Sequence, residues 1–142
     1  MSLNTFFATR FHFIPKFKID KREVKWTLVK DSDPREGDFA PLLVKLTSEG
    51  NPIVGPETCQ QISGKCLGHR AGEAILFNEN IPAIGFRNCP ILLFGTIWQQ
   101  EIDGESYIPY LYFDMHTGKL AMSFRSLWIG FNSSCRALFP SK

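Results

Sequence analysis

One stretch of the chain has residue types arranged for covalent catalysis. Gly64-Lys65-Cys66-Leu67-Gly68, followed by His69, has the Gly-x-Cys-x-Gly form of a nucleophile elbow. An elbow works when a buried strand enters a sharp turn and then a helix, lifting the nucleophile above a parallel sheet. Cys59-Gln60-Gln61-Ile62-Ser63 is a poor buried strand, and nothing after it resembles the helices of an α/β hydrolase. A base also comes more often from a distant part of the fold than from the next residues. A cysteine-dependent hydrolase using Cys66 is therefore a rival reading, and the chain is read as non-enzymatic.

Metal chemistry is weaker still. Cys59, Cys66, His69 and Cys89 could supply soft zinc ligands, but the spacing lacks the paired Cys-x2-Cys knuckles that position thiolates. Reduced thiols, Cys135 included, are expected, with no cofactor. The acidic run Asp31, Asp33, Glu36, Asp38 fails as a calcium loop: Glu36 stands where the turn needs glycine, and Leu42 where a bidentate glutamate belongs. A solvated acidic loop is expected there. Glu101, Asp103 and Glu105 surround a turn and are too solvated for an acid/base pair. His12 falls in a phenylalanine-rich strand and His116 in a turn. No P-loop, dinucleotide fingerprint or helix-borne His-Glu motif is read.

Charge is more informative. The net charge of +2 hides a segregation: Arg10 to Lys30 carries seven Lys/Arg against Asp20 and Glu23, and the segment from Gly118 onward four against none. The middle holds twelve acids against five bases. If an N-terminal strand lies beside the strand at Lys119, the two basic segments merge into one face that attracts phosphates of RNA or of anionic lipid headgroups. Arg10, Lys16, Lys18, Lys21, Arg22 and Lys25, with Lys119 and Arg125, are the candidate contact residues. The plainer alternative is a solvated charge pattern, or basic and acidic surfaces meeting between subunits.

The elements that must position these residues centre on Cys89 to Phe131. Three strands are predicted, Ile91 to Glu101, Ser106 to Asp114 and Lys119 to Ile129, joined by Asp103-Gly104 and His116-Thr117-Gly118 turns. Leu120, Met122 and Phe124 alternate with Lys119, Ser123 and Arg125, so the third strand has one wet face. The first is apolar on both faces, with Leu92, Phe94 and Trp98 expected on one and Ile91, Leu93 and Ile97 on the other. Pro109 predicts a bulge or broken ladder in the second. Thr9 to Ile19, Val24 to Lys30 and Leu42 to Thr47 also read as strands, with a turn at Gly50-Asn51-Pro52. Gly72 to Phe77 and Ile81 to Phe86 read as a further hairpin. Short helices are expected from Pro56 to Gly64 or Gly68, and from Asn132 through Leu138.

These elements give a single domain over residues 1–142: mainly β, an antiparallel sandwich or flattened barrel of about eight strands with two short helices. The length suffices to bury about two-thirds of the unfolded surface. Thirteen per cent aromatic residues supply apolar faces for the layers. No secretory signal or long apolar span is read, so a cytoplasmic protein is expected. The doubly apolar strand at Ile91 supports a further alternative, a barrel enclosing a small apolar ligand.

Tyr110-Leu111-Tyr112-Phe113-Asp114-Met115, with Lys119-Leu120 after it, resembles the strand-turn-strand near the end of the membrane- and oligomer-forming domain of matrix proteins from non-segmented negative-strand RNA viruses, filoviruses in particular. Leu127-Trp128 to Asn132-Ser133 and Cys135 is similar to the end of lyssavirus matrix chains, and the length suits the single-domain matrix proteins of bornaviruses. Pro-Pro-x-Tyr and Pro-Thr-Ala-Pro budding motifs are missing, and Asn51-Pro52-Ile53-Val54 lacks the aromatic residue that opens the comparable paramyxovirus element. The resemblance implies a non-enzymatic, self-associating protein of the virion. It would sit peripherally on the inner membrane leaflet through basic residues and contact RNA or nucleocapsid, with no small-molecule substrate.

Overall fold

The computed structural model describes residues 10–14, 26–45, 62–78, 86–127 and 135–140. Its strands are β1 (Phe11–His12), β2 (Trp26–Asp31), β3 (Asp38–Phe39), β4 (Pro41–Lys45), β5 (Ile91–Leu92), β6 (Thr96–Gln100), β7 (Ser106–Asp114), β8 (Lys119–Ser126) and β9 (Arg136–Pro140). One helix, α1 (His69–Leu76), is described from end to end. The chain is mainly β, as its alternating segments predict. Seven strands form one curled sheet, ordered β2-β6-β7-β5-β9-β4 with β8 on the other edge of β7, while β1 and β3 form a separate ribbon. All pairs are antiparallel except β5 with β9.

The sheet is organised by a kink. The predicted strand from Ile91 is one strand in two pieces, and both pair with β7: Ile91 and Leu92 with Leu111 and Tyr110, Trp98 and Gln99 with Tyr107 and Ser106. Between them Leu93 N–H donates to the Pro109 carbonyl, 3.0 Å. Proline cannot return that bond, and the Leu93 carbonyl instead accepts from Thr96 N–H at 3.4 Å. The bulge expected at Pro109 therefore lies in the opposite strand, and the β7–β8 ladder runs unbroken through Pro109↔Phe124.

Leu92 to Trp98 is six residues against three from Tyr110 to Tyr107, and these three extra residues, an odd number, shift the phase of everything after them. Ile91 and Leu93 pack toward α1, with Phe11, Phe39, Ala71, Ile75 and Leu111. Leu92 and Phe94 face the other way, with Ile108, Ala137 and Cys135. Past Gly95, Ile97 joins Leu92 and Phe94, whereas Trp98 meets His69 on the helix side. The predicted faces are thus correct up to Phe94 and exchanged at Ile97 and Trp98, because strict alternation assumes no inserted residue.

At the kink the free edge of the strand forks. β2 pairs with β6 on one arm, with a bulge at Val29, and β9 then β4 continue from β5 on the other. The gap is filled by a non-strand segment: Leu67 N–H donates to the Leu138 carbonyl at 2.8 Å, and Gly95 N–H donates to the Leu67 carbonyl at 3.1 Å. Backbones touch there. A Cβ on Gly95 would lie 2.5 Å from the Cys66 carbonyl oxygen, and one on Gly68 2.7 Å from Thr96 N.

Several local expectations change. The two tight hairpins are present but use longer loops, with Gly104 N–H donating to the Gln100 carbonyl (2.9 Å) and Gly118 N–H to that of Asp114 (2.8 Å). A single left-handed glycine closes each, at φ 68° and 72°, and the Asp103 carboxylate or Thr117 hydroxyl accepts the N–H two residues on. Gly72 to Phe77, read as a strand, belongs to α1 and its C-cap, because a short apolar run does not reveal its period. Ala71 and Ile75 form its buried stripe. Arg136 to Leu138, expected in a helix, lies in β9, where pairing with β4 and β5 outweighs local preference. The Gly50 turn, the Pro56 helix start and the strand from Ile81 as far as Gly85 fall outside the described residues.

The expectation that an N-terminal strand pairs with the Lys119 strand is not met. β1 pairs with β3, and β2 pairs with β6. β8 is reached by a tight hairpin from β7, whose other edge β6 already occupies, so β2 can add only beyond β6. β2 and β8 meet through side chains of the curled sheet, with Trp26 5.6 Å from Phe124 between ring centroids.

Candidate functional site

The first turns of α1 carry a polar group beneath the surface. A helix leaves its first N–H groups without internal partners, and Gly68 at the N-cap has no side chain to offer. Asp33 supplies the cap from a distant loop: its two carboxylate oxygens accept from Gly68 N–H (2.8 Å) and Ala71 N–H (2.9 Å). Thr96, on the first residue after the kink, accepts from His69 N–H at 2.8 Å and donates to Asp31 at 3.2 Å. Asp31 also accepts from Arg70 Nε at 2.7 Å, and Arg70 Nη1 donates to the Ile14 carbonyl. Helix, kink and acidic loop are thereby bonded to one another.

The expected solvated loop is corrected at its start. Asp33 is buried and Asp31 half-buried, drawn inward by a cationic side chain and by helix N–H groups. Further along, Asp38 pairs with His12 across the β1–β3 ribbon. These acids are committed to cations and donors of the protein. Among the described residues no group of three His, Cys, Asp or Glu is placed to hold a metal, and Cys59 lies outside those residues.

Burial raises the Asp33 carboxyl to about 6, against the lowering pull of the Ala71 and Gly68 N–H groups. A folded-state value above the usual 3.8 means that the folded protein holds the proton more tightly. This group's contribution to stability is thus complete below about pH 4 and lost as pH rises through 6, by about 3 kcal/mol at most. Urea titrations of wild type and Asp33→Asn should show the wild type losing stability relative to the variant between pH 4 and 6. Parallel curves would contradict the assignment.

Deeper in, Trp98 Nε1 donates to His69 Nδ1 at 3.1 Å. Indole N–H is a donor only, so this imidazole nitrogen carries the lone pair and the ring proton sits on Nε2. Nε2 lies 2.6 Å from Glu73 Oε1, and neither side chain has any exposed area. His69 and Glu73 sit one turn apart on α1, a spacing distinct from the metal-binding helix-borne His-Glu motif. Their spacing was the available signal, masked by reading Gly72 to Phe77 as a strand.

The elbow reading fits this geometry poorly. Lys65 and Cys66 N–H groups both donate to the Ile62 carbonyl, so the residues before Cys66 form a turn rather than a leading strand. Cys66 is buried among Leu92, Phe94 and Ile108, on the sheet face away from the Trp98–His69 pair.

A second feature is the face of β7 and β8 turned away from α1, where the second hydrophobic cluster lies. Tyr110 packs beside Leu92 and Ile108 on that face, and residues i and i+2 share a face, so Tyr112 joins it. Their ring centroids are 5.7 Å apart. Arg125, Ser123, Ala121 and Lys119 stand opposite Ile108, Tyr110, Tyr112 and Asp114. Tyr110, Tyr112 and Arg125 are half-buried and Lys119 is exposed.

Comparison with protein-family models, characterised proteins and solved structures gives no match. Of the basic residues singled out from the sequence, Lys119 and Arg125 lie on this face, at opposite ends of β8. Arg10 precedes β1, which packs against α1 on the opposite side of the sheet. Lys16, Lys18, Lys21, Arg22 and Lys25 fall outside the described residues. The tyrosine pair was missed as a site, although its i, i+2 spacing in a strand was visible.

Proposed function

We propose that the chain is a non-enzymatic protein that binds single-stranded RNA at the half-buried Tyr110 and Tyr112 on the face of β7 and β8 turned away from α1. The supporting observation is the Tyr110–Tyr112 pair, with centroids 5.7 Å apart, on the same face as Arg125 and Lys119. Aromatic rings on a rigid sheet offer stacking surfaces to unpaired bases, and nearby cations follow the phosphates. Lipid headgroups have no flat rings to stack, so the tyrosines favour RNA over membrane. The hairpin that carries this face also carries the resemblance to viral matrix proteins, for which RNA or nucleocapsid contact was expected.

Fluorescence anisotropy with a short fluorescent oligouridylate tests the reading. Tyr110→Ala and Tyr112→Ala should each weaken binding by about 1–3 kcal/mol. Arg125→Gln should reduce the salt slope by about 0.7. Binding unchanged in both tyrosine variants would remove the proposal, and binding to anionic vesicles without RNA binding would replace it with the membrane reading. Light scattering on the same samples tests self-association, the other part of the matrix-like reading; a monomer at all concentrations would remove that part.

A further inference from the structure

On the opposite side of the sheet, a groove of about 260 Å³ runs between the β1 segment and the C-terminal half of α1. Its walls are largely apolar: Phe11, Ile14, Ala74 and Phe77, with Arg10 and His12 at the mouth. Phe77, the residue after the last turn of α1, leaves 49% of its surface exposed along this groove. Glu73 forms part of the floor, but its carboxylate is fully buried and faces His69, so it is not presented to an incoming cation. His12 is matched by Asp38. The charge offered at the entrance is therefore the Arg10 guanidinium, above an apolar trough.

That arrangement selects an amphiphile with a negative head. We infer that the groove binds a small monocarboxylate with an apolar body, the carboxylate held by Arg10 and the body lying on Phe77, Ala74 and Phe11. Drug-sized ligands occupy roughly 300–1,000 Å³, so this volume limits the ligand to roughly ten non-hydrogen atoms, a medium-chain or aryl carboxylate. The site is independent of the RNA reading, since it lies on the helix side of the sheet.

Octanoate is a suitable probe, with octylamine as a tail-matched control of opposite charge. Titration followed by NMR should shift the Ala74 methyl and Phe77 ring signals with octanoate, and octylamine should leave them in place. Arg10→Ala should weaken octanoate about tenfold, and Arg10→Lys should retain most of the affinity. Phe77→Ala should weaken it too, while the RNA titration stays unchanged. Arg10 is exposed, so its substitution leaves the fold intact, as an unchanged thermal melt will verify. Preference for octylamine would overturn the inference, as would octanoate shifts unaltered in Arg10→Ala, or no shifts at millimolar octanoate.

Discussion

Gly95→Ala is expected to destabilise the protein by about 3 kcal/mol or more. The new Cβ would stand 2.5 Å from the Cys66 carbonyl oxygen, 2.8 Å from the Leu67 carbonyl carbon and 2.9 Å from Gly68 N. All three are backbone atoms, which cannot rotate away as a side-chain tip can. Relief requires moving the 66–68 segment, and that motion breaks the Leu67 bonds to Leu138 and Gly95 and displaces the start of α1. Gly64→Ala is the control: nothing lies within 4 Å of its added Cβ, so its effect should stay within about 0.5 kcal/mol. Urea unfolding of the two variants gives the comparison. A Gly95→Ala protein as stable as wild type would mean that the backbones are not in contact at the kink.

The second large effect is expected at Glu73. Glu73→Leu removes the carboxylate oxygen that lies 2.6 Å from His69 Nε2 in a fully buried pair, at a cost of about 3 kcal/mol. Glu73→Gln keeps a carbonyl oxygen in place and should cost about 1 kcal/mol. The contrast separates the presence of an oxygen beside Nε2 from its negative charge. Equal losses in Leu and Gln variants would show that the charge carries the interaction, and a neutral Glu73→Leu would show that the pair does not support the fold. Denaturant titrations of both variants at one pH provide the measurement.

What could be read from the sequence was the part governed by short-range rules. The β7–β8 hairpin and its glycine turns follow from alternation and from glycine placement, whereas the expected wet face of β8 is exposed only at Lys119, residues 120–125 being half-buried on both sides. Leu120 and Met122 do pack on the helix-side core. The double coverage of Ile91 to Phe94 was equally legible as an unbroken apolar run. The reading failed where a long-range partner decided the outcome. Asp33 looks like a loop acid until Gly68 and Ala71 N–H groups arrive beside it, 35 and 38 residues away in sequence. Arg136 to Leu138 has no strong strand signature, and its extended form is imposed by β4 and β5 on either side. The exchange of Ile97 and Trp98 turns on three inserted residues at the kink that no periodicity can announce.

The Leu67 bridge has a consequence for how this chain can vary. Ile62 to Gly68 would pass for a surface connection on composition, yet it supplies one donor and one acceptor that hold the two arms of the sheet at a set spacing. Lengthening or shortening it by a residue would not be absorbed as in an ordinary loop. It would pull β6 and β9 out of step with each other, so the span of this turn is constrained as tightly as the identity of a core side chain.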